Sequence, residues 1–147
     1  MIVVGYQGIG KSSTAGHCKY IDLESGNFWV DGKRDPDWYK IYVNIAEHLS
    51  QQGFTVFVSS HAAVREELKR VKEKVVVIYP SLYLRDEWIT RLYDRYMITN
   101  LEKDRKAYLN AVDCYEQNIK DLSESSFTTY EIKSMDYRLI DILIDLI

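Results

Sequence analysis

The chain opens with Met1-Ile-Val-Val-Gly-Tyr-Gln-Gly-Ile-Gly-Lys-Ser12, and this stretch decides how the rest is interpreted. Its first apolar residues form a short run typical of a buried strand, which ends at Gly5. Gly10, Lys11 and Ser12 follow after four intervening residues, which gives the spacing G-x-x-x-x-G-K-[ST]. This spacing, directly after a strand, predicts a loop that wraps around a polyphosphate.

Each residue type in the loop has a chemical reason to be there. Glycines permit the backbone angles and the close approach that let several N–H groups point at phosphate oxygens. Lys11 can reach the β- and γ-phosphates, and the Ser12 hydroxyl can ligate Mg²⁺. A helix that opens here would add the partial positive charge of its N-terminus. The predicted polyphosphate-binding residues are Gly8, Ile9, Gly10, Lys11, Ser12 and Ser13.

Composition and charge disfavour several classes of function. The chain has 147 residues, 46% hydrophobic and 28% charged, so we expect one globular domain over residues 1–147. The formal net charge of −3 argues against binding to long nucleic acid by bulk electrostatics. No apolar run approaches the ~20 residues that span a membrane. Cys18 and Cys114 form no disulfide or metal pattern, and no signal peptide precedes the first strand, so we expect a cytoplasmic protein.

Hydrophobic patterns along the chain alternate between strands and helices. Strands are predicted at residues 1–4, 19–23, 54–58, 75–79 and 128–133. Helices are predicted at residues 11–18, 37–52, 62–73, 84–99 and 101–122, and a last helix from Ser134 to the C-terminus. Every connection is long enough for a right-handed crossover, which indicates an α/β fold with a five-stranded parallel sheet flanked by helices. Ligands bind beyond the carboxyl ends of such strands.

Acidic residues stand at the end of the second predicted strand. Asp22 and Glu24 are separated by one residue, so on an extended backbone they point to the same side. Phosphoryl transfer needs a carboxylate for Mg²⁺ and often one for the acceptor, and Ser12 with Asp22 is the predicted metal site. No other apolar strand ends in Asp, which disfavours motor ATPases and switch GTPases. The three histidines lack ligand spacing, and we assign none of them to a metal.

The segment of about residues 25–52 combines aromatic and cationic side chains, which suit a nucleobase that carries a phosphate. Trp38 and Tyr42 recur at helical spacing and are predicted to lie in the core. Arg65, one turn into the helix after the third strand, is either a clamp on the acceptor's phosphate or a solvated helix arginine. The predicted acceptor-binding residues are Asp22, Glu24, Phe28, Trp29, Lys33, Arg34, Ser60 and Arg65.

Two arginines define a lid-like helical region at about residues 82–100. Arg91 and Arg95 are four residues apart and therefore share one helix face. Arginines on a mobile lid neutralise charge on a transferred phosphoryl group and exclude water. The alternative is surface ion pairing with Glu87 or Asp94.

In this order, these segments resemble the P-loop kinases, which include nucleoside monophosphate kinases and relatives such as gluconate and shikimate kinases. The segment Val56-Phe-Val-Ser-Ser-His-Ala-Ala-Val-Arg65 is similar to the serine-then-arginine segment after strand 3 of gluconate-type kinases, and Arg91-Leu-Tyr-Asp-Arg95 to the paired lid arginines. The resemblance implies a three-layer P-loop NTPase fold with a helical lid. It implies that Gly8, Gly10, Lys11 and Ser12 bind ATP and Mg²⁺. It also implies catalytic roles for Lys11, Asp22, Arg91 and Arg95, and a backbone contact of residues 134–136 with adenine.

The chain also departs from that family. It lacks the Asp-Gly-x-Pro-Arg acceptor segment of adenylate kinases, and the helical stretch 101–126 has no assigned chemistry. We therefore expect an ATP-dependent kinase whose acceptor is a nucleoside or deoxynucleoside monophosphate. A sugar acid or a polynucleotide 5′-end stays open as acceptor. The second hypothesis is a nucleotide-binding regulatory protein without phosphoryl transfer.

Overall fold

In the computed structural model, which describes residues 1–17 and 19–147, five strands form one parallel sheet. Its strands are β1 (Ile2–Gly5), β2 (Tyr20–Asp22), β3 (Thr55–Val58), β4 (Val75–Pro80) and β5 (Thr128–Ile132). They lie in the order β2-β3-β1-β4-β5, and all neighbouring strands pair in parallel. The predicted α/β architecture with five parallel strands is confirmed.

The three central strands form the core of the sheet. Every residue of β1, β3 and β4 is buried, as their continuous apolar runs predict for strands covered on both faces. Val3 pairs with Phe57 on one side and with Val76 on the other. The carboxyl end of β1, which leads into the predicted phosphate loop, therefore lies in the middle of the sheet's edge.

Helices cover the sheet and pair with one another. Their bounds are α1 (Lys11–Thr14), α2 (Trp38–Gln51), α3 (Ala62–Glu67), α4 (Arg85–Thr99), α5 (Glu102–Ser123) and α6 (Leu139–Leu146). Right-handed crossovers would place α1 on one face and α2, α3, α4 and α5 on the opposite face, while α6 follows the last strand and contacts α1. The contacts of α1 with α6, of α2 with α3 and of α4 with α5 are compatible with these three layers.

The start of the last helix was predicted wrongly. Instead of opening at Ser134, α6 begins at Leu139, after Arg138 in an extended conformation. The Ser134 hydroxyl accepts a hydrogen bond from the N–H of Asp136, which forms a local turn that competes with a helix. This turn leaves Tyr137 free of helical geometry and directs its hydroxyl to the loop after β1.

Two other helices are shorter than predicted. The predicted helix at residues 62–73 ends at Glu67 and continues as a 3₁₀ turn, Leu68–Arg70. The predicted helix at residues 11–18 ends at Thr14 because Ala15 takes an extended conformation, and Cys18 lies outside the described residues. The predicted break near Asn100 is confirmed, since Asn100 adopts a left-handed φ of 53° and its N–H bonds the carbonyl of Tyr96.

In the described part of the chain, no helix combines the length and the apolar character needed to cross a bilayer.

Candidate functional site

The loop between β1 and α1, residues 6–10, is the predicted phosphate loop and is called the phosphate loop below. Gly8 and Gly10 have φ values of +88° and +107°, a region that residues with a Cβ rarely adopt. A Cβ on Gly5 would lie 2.3 Å from Cδ1 of Ile9, so the end of the Ile9 side chain would have to move. Of the predicted glycines, Gly8 and Gly10 are therefore the two whose backbone conformation favours glycine.

The N–H groups of this loop are available to a ligand. None of the described residues accepts a hydrogen bond from the backbone N–H of Gly8, Gly10, Lys11 or Ser12. Lys11 and Ser12 begin α1, where the N–H groups of a helix have no acceptor within the helix, and Gly8 and Gly10 extend this set of donors into the loop. A phosphate group, with several acceptor oxygens, suits such a set.

Lys11 lies beside this row of donors. Its ammonium donates a hydrogen bond to the carbonyl oxygen of Gly5 at 3.1 Å. Desolvation lowers the pKa of Lys11, the charges of Asp22 and Glu24 raise it, and those of Arg95 and Lys103 lower it. Three elements distant in sequence therefore bring charges into range of one ammonium group.

Ser12 and Asp22 meet as predicted. The Ser12 hydroxyl donates to Oδ2 of Asp22 at 3.2 Å, which joins the phosphate loop to the end of β2. Burial raises the pKa of Asp22, and the ammonium of Lys11 opposes that rise. Both side chains offer oxygen, the donor that Mg²⁺ prefers. Among the described residues no cluster of three His, Cys, Asp or Glu side chains could hold a metal ion, so Mg²⁺ here would depend on phosphate oxygens as further ligands.

Glu24 faces a basic residue across the site. Its Oε1 lies 3.7 Å from Nζ of Lys103, and both side chains are partly exposed. This contact connects the segment after β2 with the first turn of α5, so the helical stretch to which sequence analysis assigned no chemistry borders the site.

Arg34 lies close to two tryptophan rings. Its guanidinium carbon lies 3.9 Å from the ring centroid of Trp38 and 4.7 Å from that of Trp29. Planar guanidinium groups stack well on indoles, whose faces are electron-rich. No carboxylate of the described residues forms an ion pair with Arg34, so its charge is free to meet an anionic ligand.

A tight turn at residues 30–33 precedes Arg34. Val30 and Lys33 exchange two backbone hydrogen bonds of 2.7 and 2.9 Å, and the residues between them, Asp31 and Gly32, both have positive φ. This is the type I′ geometry that Asp-Gly favours. Lys33 is exposed and lies beside Arg34 at the rim of the site.

Trp38 and Tyr42 are buried, as predicted for core residues. Half-buried Phe28 packs against both rings, at centroid distances of 5.9 and 5.7 Å, so the three side chains form one aromatic cluster. The Tyr42 hydroxyl donates to the carbonyl oxygen of Leu23 at 2.6 Å and accepts from the N–H of Ser59 at 2.9 Å. It therefore ties together the chain segments that follow β2 and β3.

Ser60 and Arg65 come together after β3. Nε of Arg65 donates to the carbonyl oxygen of Ser60 at 3.1 Å, which orients the half-buried guanidinium at the carboxyl end of the sheet.

His61 is a site residue that sequence analysis missed. Its ring packs edge-on against Trp38 at 5.4 Å, and its Nδ1 lies 2.7 Å from the Ser59 hydroxyl. Burial lowers the pKa of His61, and the charges of Arg34 and Lys11 lower it further, so the imidazole is neutral at neutral pH. His61 is therefore within electrostatic range of both Arg34 and Lys11. Its position directly after the two serines at the end of β3 was the signal in the sequence.

Arg91 contacts the back of the phosphate loop. Its Nη1 donates to the carbonyl oxygen of Gly8 at 3.1 Å and to the Tyr137 hydroxyl at 2.8 Å, and its guanidinium lies over the ring of Trp88 at 4.5 Å. The alternative of a surface ion pair with Glu87 or Asp94 does not occur in this structure.

Arg95 has a buried partner one helix away. Its Nε lies 3.0 Å from Oδ1 of Asp104, although the N–H direction does not meet the geometry of a hydrogen bond. Asp104 is 3% exposed and also accepts a hydrogen bond from the Thr99 hydroxyl. Asp104 belongs to α5, and nothing in its sequence context distinguished it from a surface residue of an amphipathic helix.

A cavity of about 360 Å³ lies next to the loop. It is lined by Ile9, Gly10, Ser13, Arg91, Tyr137 and Leu139, among others. Apolar and aromatic walls with an arginine suit the flat face of a nucleobase. Of residues 134–136, predicted to contact a base, none lines this cavity, but Tyr137 and Arg138 directly after them do.

No model of a known protein family matches the chain, and no curated protein matches its sequence. The resemblance to P-loop kinases therefore stays a prediction.

Proposed function

We propose that this protein is an ATP-dependent phosphotransferase with a P-loop NTPase fold, which transfers the γ-phosphoryl group of ATP to a nucleoside or deoxynucleoside monophosphate. The observation that carries the proposal is the set of N–H groups at Gly8, Gly10, Lys11 and Ser12 that have no acceptor among the described residues, together with the Lys11 ammonium of the same segment. Their position at the carboxyl end of the central strand is where parallel α/β sheets bind ligands.

The two sides of the loop suit the two ends of ATP. The loop N–H groups and Lys11 would hold the phosphates, and the cavity beside Ile9 and Arg91 would take the base. Ser12 and Asp22 fit the magnesium ion that accompanies ATP because both present oxygen within 3.2 Å of each other. When bound, that ion would neutralise charge on the phosphates.

The acceptor side suits a phosphate monoester. Arg34 and Arg65 supply guanidinium groups, neutral His61 supplies a hydrogen-bonding nitrogen, and exposed Trp29 supplies an aromatic surface. In the transfer, an oxygen of the acceptor phosphate forms a bond to the γ-phosphorus while the bond from that phosphorus to the β–γ bridging oxygen breaks. A dianionic phosphate oxygen carries no proton, so this acceptor needs no general base. A hydroxyl acceptor would instead have to give a proton to Asp22.

A panel assay tests the proposal. ADP release is measured with ATP, Mg²⁺ and each of the nucleoside and deoxynucleoside monophosphates, a sugar acid and a 5′-hydroxyl oligonucleotide. We expect turnover with at least one monophosphate and none with the oligonucleotide. Turnover only with the sugar acid or the oligonucleotide would replace the acceptor but keep the kinase. Tight ATP binding with no turnover, and slow hydrolysis that Asp22→Asn leaves unchanged, would favour the regulatory hypothesis.

Replacing Arg34 with lysine tests the acceptor side. We expect the KM for the monophosphate to rise about tenfold, while kcat changes less than about threefold, because lysine keeps the charge but loses the stacked, forked guanidinium. Steady-state kinetics measure both constants. Arg105→Lys, an exposed arginine paired with Glu102 on α5, is the matched control and is expected to match the wild type. An unchanged KM in Arg34→Lys would show that Arg34 does not bind the acceptor.

A further inference from the structure

Three consecutive carbonyl groups of the phosphate loop accept hydrogen bonds from side chains of other elements. The carbonyl oxygen of Gln7 accepts from Nε1 of Trp88 at 2.8 Å. The carbonyl oxygen of Gly8 accepts from Arg91 at 3.1 Å, and that of Ile9 accepts from the Tyr137 hydroxyl at 2.9 Å. The donors come from α4 and from the segment before α6.

The donors also hold one another. The rings of Trp88 and Tyr137 stack at 6.2 Å with an angle of 10° between their planes, and the Arg91 guanidinium lies 4.5 and 5.5 Å from their centroids. Arg91 also donates to the Tyr137 hydroxyl at 2.8 Å. Trp88 is fully buried, and a Cβ on Gly8 would come within 3.1 Å of its Nε1. The cluster leaves the loop little room to shift.

A peptide unit is planar, so fixing the direction of its C=O also fixes the direction of the N–H in the same unit. The carbonyls of Gln7, Gly8 and Ile9 share peptide units with the N–H groups of Gly8, Ile9 and Gly10. Two of these, at Gly8 and Gly10, are among the N–H groups that lack an acceptor in the described chain.

We propose that Trp88 and Tyr137 are positioning residues of the phosphate site, which act through the loop carbonyls of Gln7 and Ile9 to orient the N–H groups that bind the polyphosphate of ATP. This inference rests on the proposed function. It assigns to two aromatic side chains a role in phosphate affinity, although neither needs to touch a phosphate. Donors fixed in advance bind an anion better because no reorganisation accompanies binding.

Tripolyphosphate is the probe that tests this role, because it has the phosphates of ATP but no base to touch the nucleoside cavity. Its affinity is measured by calorimetry, in excess Mg²⁺, for the wild type, Tyr137→Phe and Trp88→Phe. Each substitution removes one hydrogen bond to a loop carbonyl and keeps an aromatic ring. We expect the Kd for tripolyphosphate to rise about three- to tenfold in each variant.

Tyr115→Phe is the matched control. Its hydroxyl donates to the carbonyl oxygen of Ser81 at 2.7 Å, so the substitution removes a hydrogen bond that is more deeply buried than that of Tyr137 and does not involve the loop. We expect it to lower thermal stability as Tyr137→Phe does, with an unchanged Kd for tripolyphosphate. A purely structural role of Tyr137 predicts that both variants keep the wild-type Kd.

The outcomes separate this inference from the proposed function. If the wild type binds tripolyphosphate and Tyr137→Phe binds it equally well, the positioning role is overturned and the nucleotide site stands. If the wild type binds neither tripolyphosphate nor ATP, the proposed function fails and the positioning role fails with it. Tyr137→Phe carries the test should Trp88→Phe not fold, because it deletes only one oxygen atom.

Discussion

Replacing Lys11 with methionine is expected to abolish function and to stabilise the protein. The affinity for ATP should fall about 10- to 100-fold, because a charged donor to the phosphates is lost. Phosphoryl transfer should fall about 100- to 1,000-fold, because charge on the transferred group loses its neutralising partner. The melting temperature without ligand should rise by roughly 2–4 °C.

The gain in stability follows from the direction of the lysine pKa. Desolvation lowers the pKa of Lys11 in the folded protein, so stability linked to this group is present above its unfolded pKa and lost as the pH falls through its folded pKa. At neutral pH the charged ammonium therefore costs stability, and methionine fills the same space without charge. The lost attraction to Asp22 offsets part of this gain.

Calorimetric melting and ATP titration measure both effects. Lys106→Met, an exposed lysine in α5, is the control and should leave ATP affinity and transfer unchanged. Unchanged ATP affinity in Lys11→Met would contradict the phosphate site, and a lower melting temperature would contradict the desolvation argument.

Replacing Arg95 with alanine is expected to damage stability and catalysis for separate reasons. Its removal leaves the buried carboxylate of Asp104 without a cation, which should lower the free energy of unfolding by about 2–3 kcal/mol. The figure is at the lower end for buried pairs because the Arg95 side chain is 38% exposed. Transfer should fall about 100-fold if Arg95 stabilises charge on the phosphoryl group.

A second substitution separates the two effects. In Arg95→Ala with Asp104→Asn, no buried charge is left, and the asparagine oxygen can still accept from Thr99. Urea unfolding should therefore return to within about 1 kcal/mol of the wild type, while transfer stays low. Arg105→Ala on the same helical hairpin is the control for both measurements. Equal stability of the single and double variants would refute the structural argument, and wild-type transfer in the double variant would refute the catalytic one.

Much of the fold could be predicted because its signals are local. Continuous apolar runs such as residues 54–58 and 75–79 indicate buried parallel strands, and glycine spacing indicates a loop whose backbone needs positive φ. The meeting of Ser12 with Asp22 also followed from local information, since carboxyl ends of parallel strands share one edge.

The back of the phosphate loop could not be predicted in this way. Trp88 lies 81 residues from its loop partner and Tyr137 lies 128 residues from its own. Helical periodicity identifies Trp88 as buried but does not say that its N–H meets a carbonyl. Because α6 was predicted to begin at Ser134, Tyr137 was assigned to a helix. The hydrophobic pattern does not show that the turn at Ser134 makes the helix begin only at Leu139.

Pairing between Asp104 and Arg95 was missed for a similar reason. The burial of the Asp104 carboxylate depends on how α4 and α5 pack against each other. The sequence of either helix alone does not predict that packing.

The Asp31-Gly32 turn has a consequence for how this protein can change over evolution. Its two backbone hydrogen bonds and positive φ angles come from four neighbouring residues, so its geometry depends on local interactions. Trp29, Val30 and Lys33 are exposed and carry little of the molecule's stability. Substitutions there would be tolerated by the fold, so the proposed acceptor side could change in sequence while the sheet and its core stay intact.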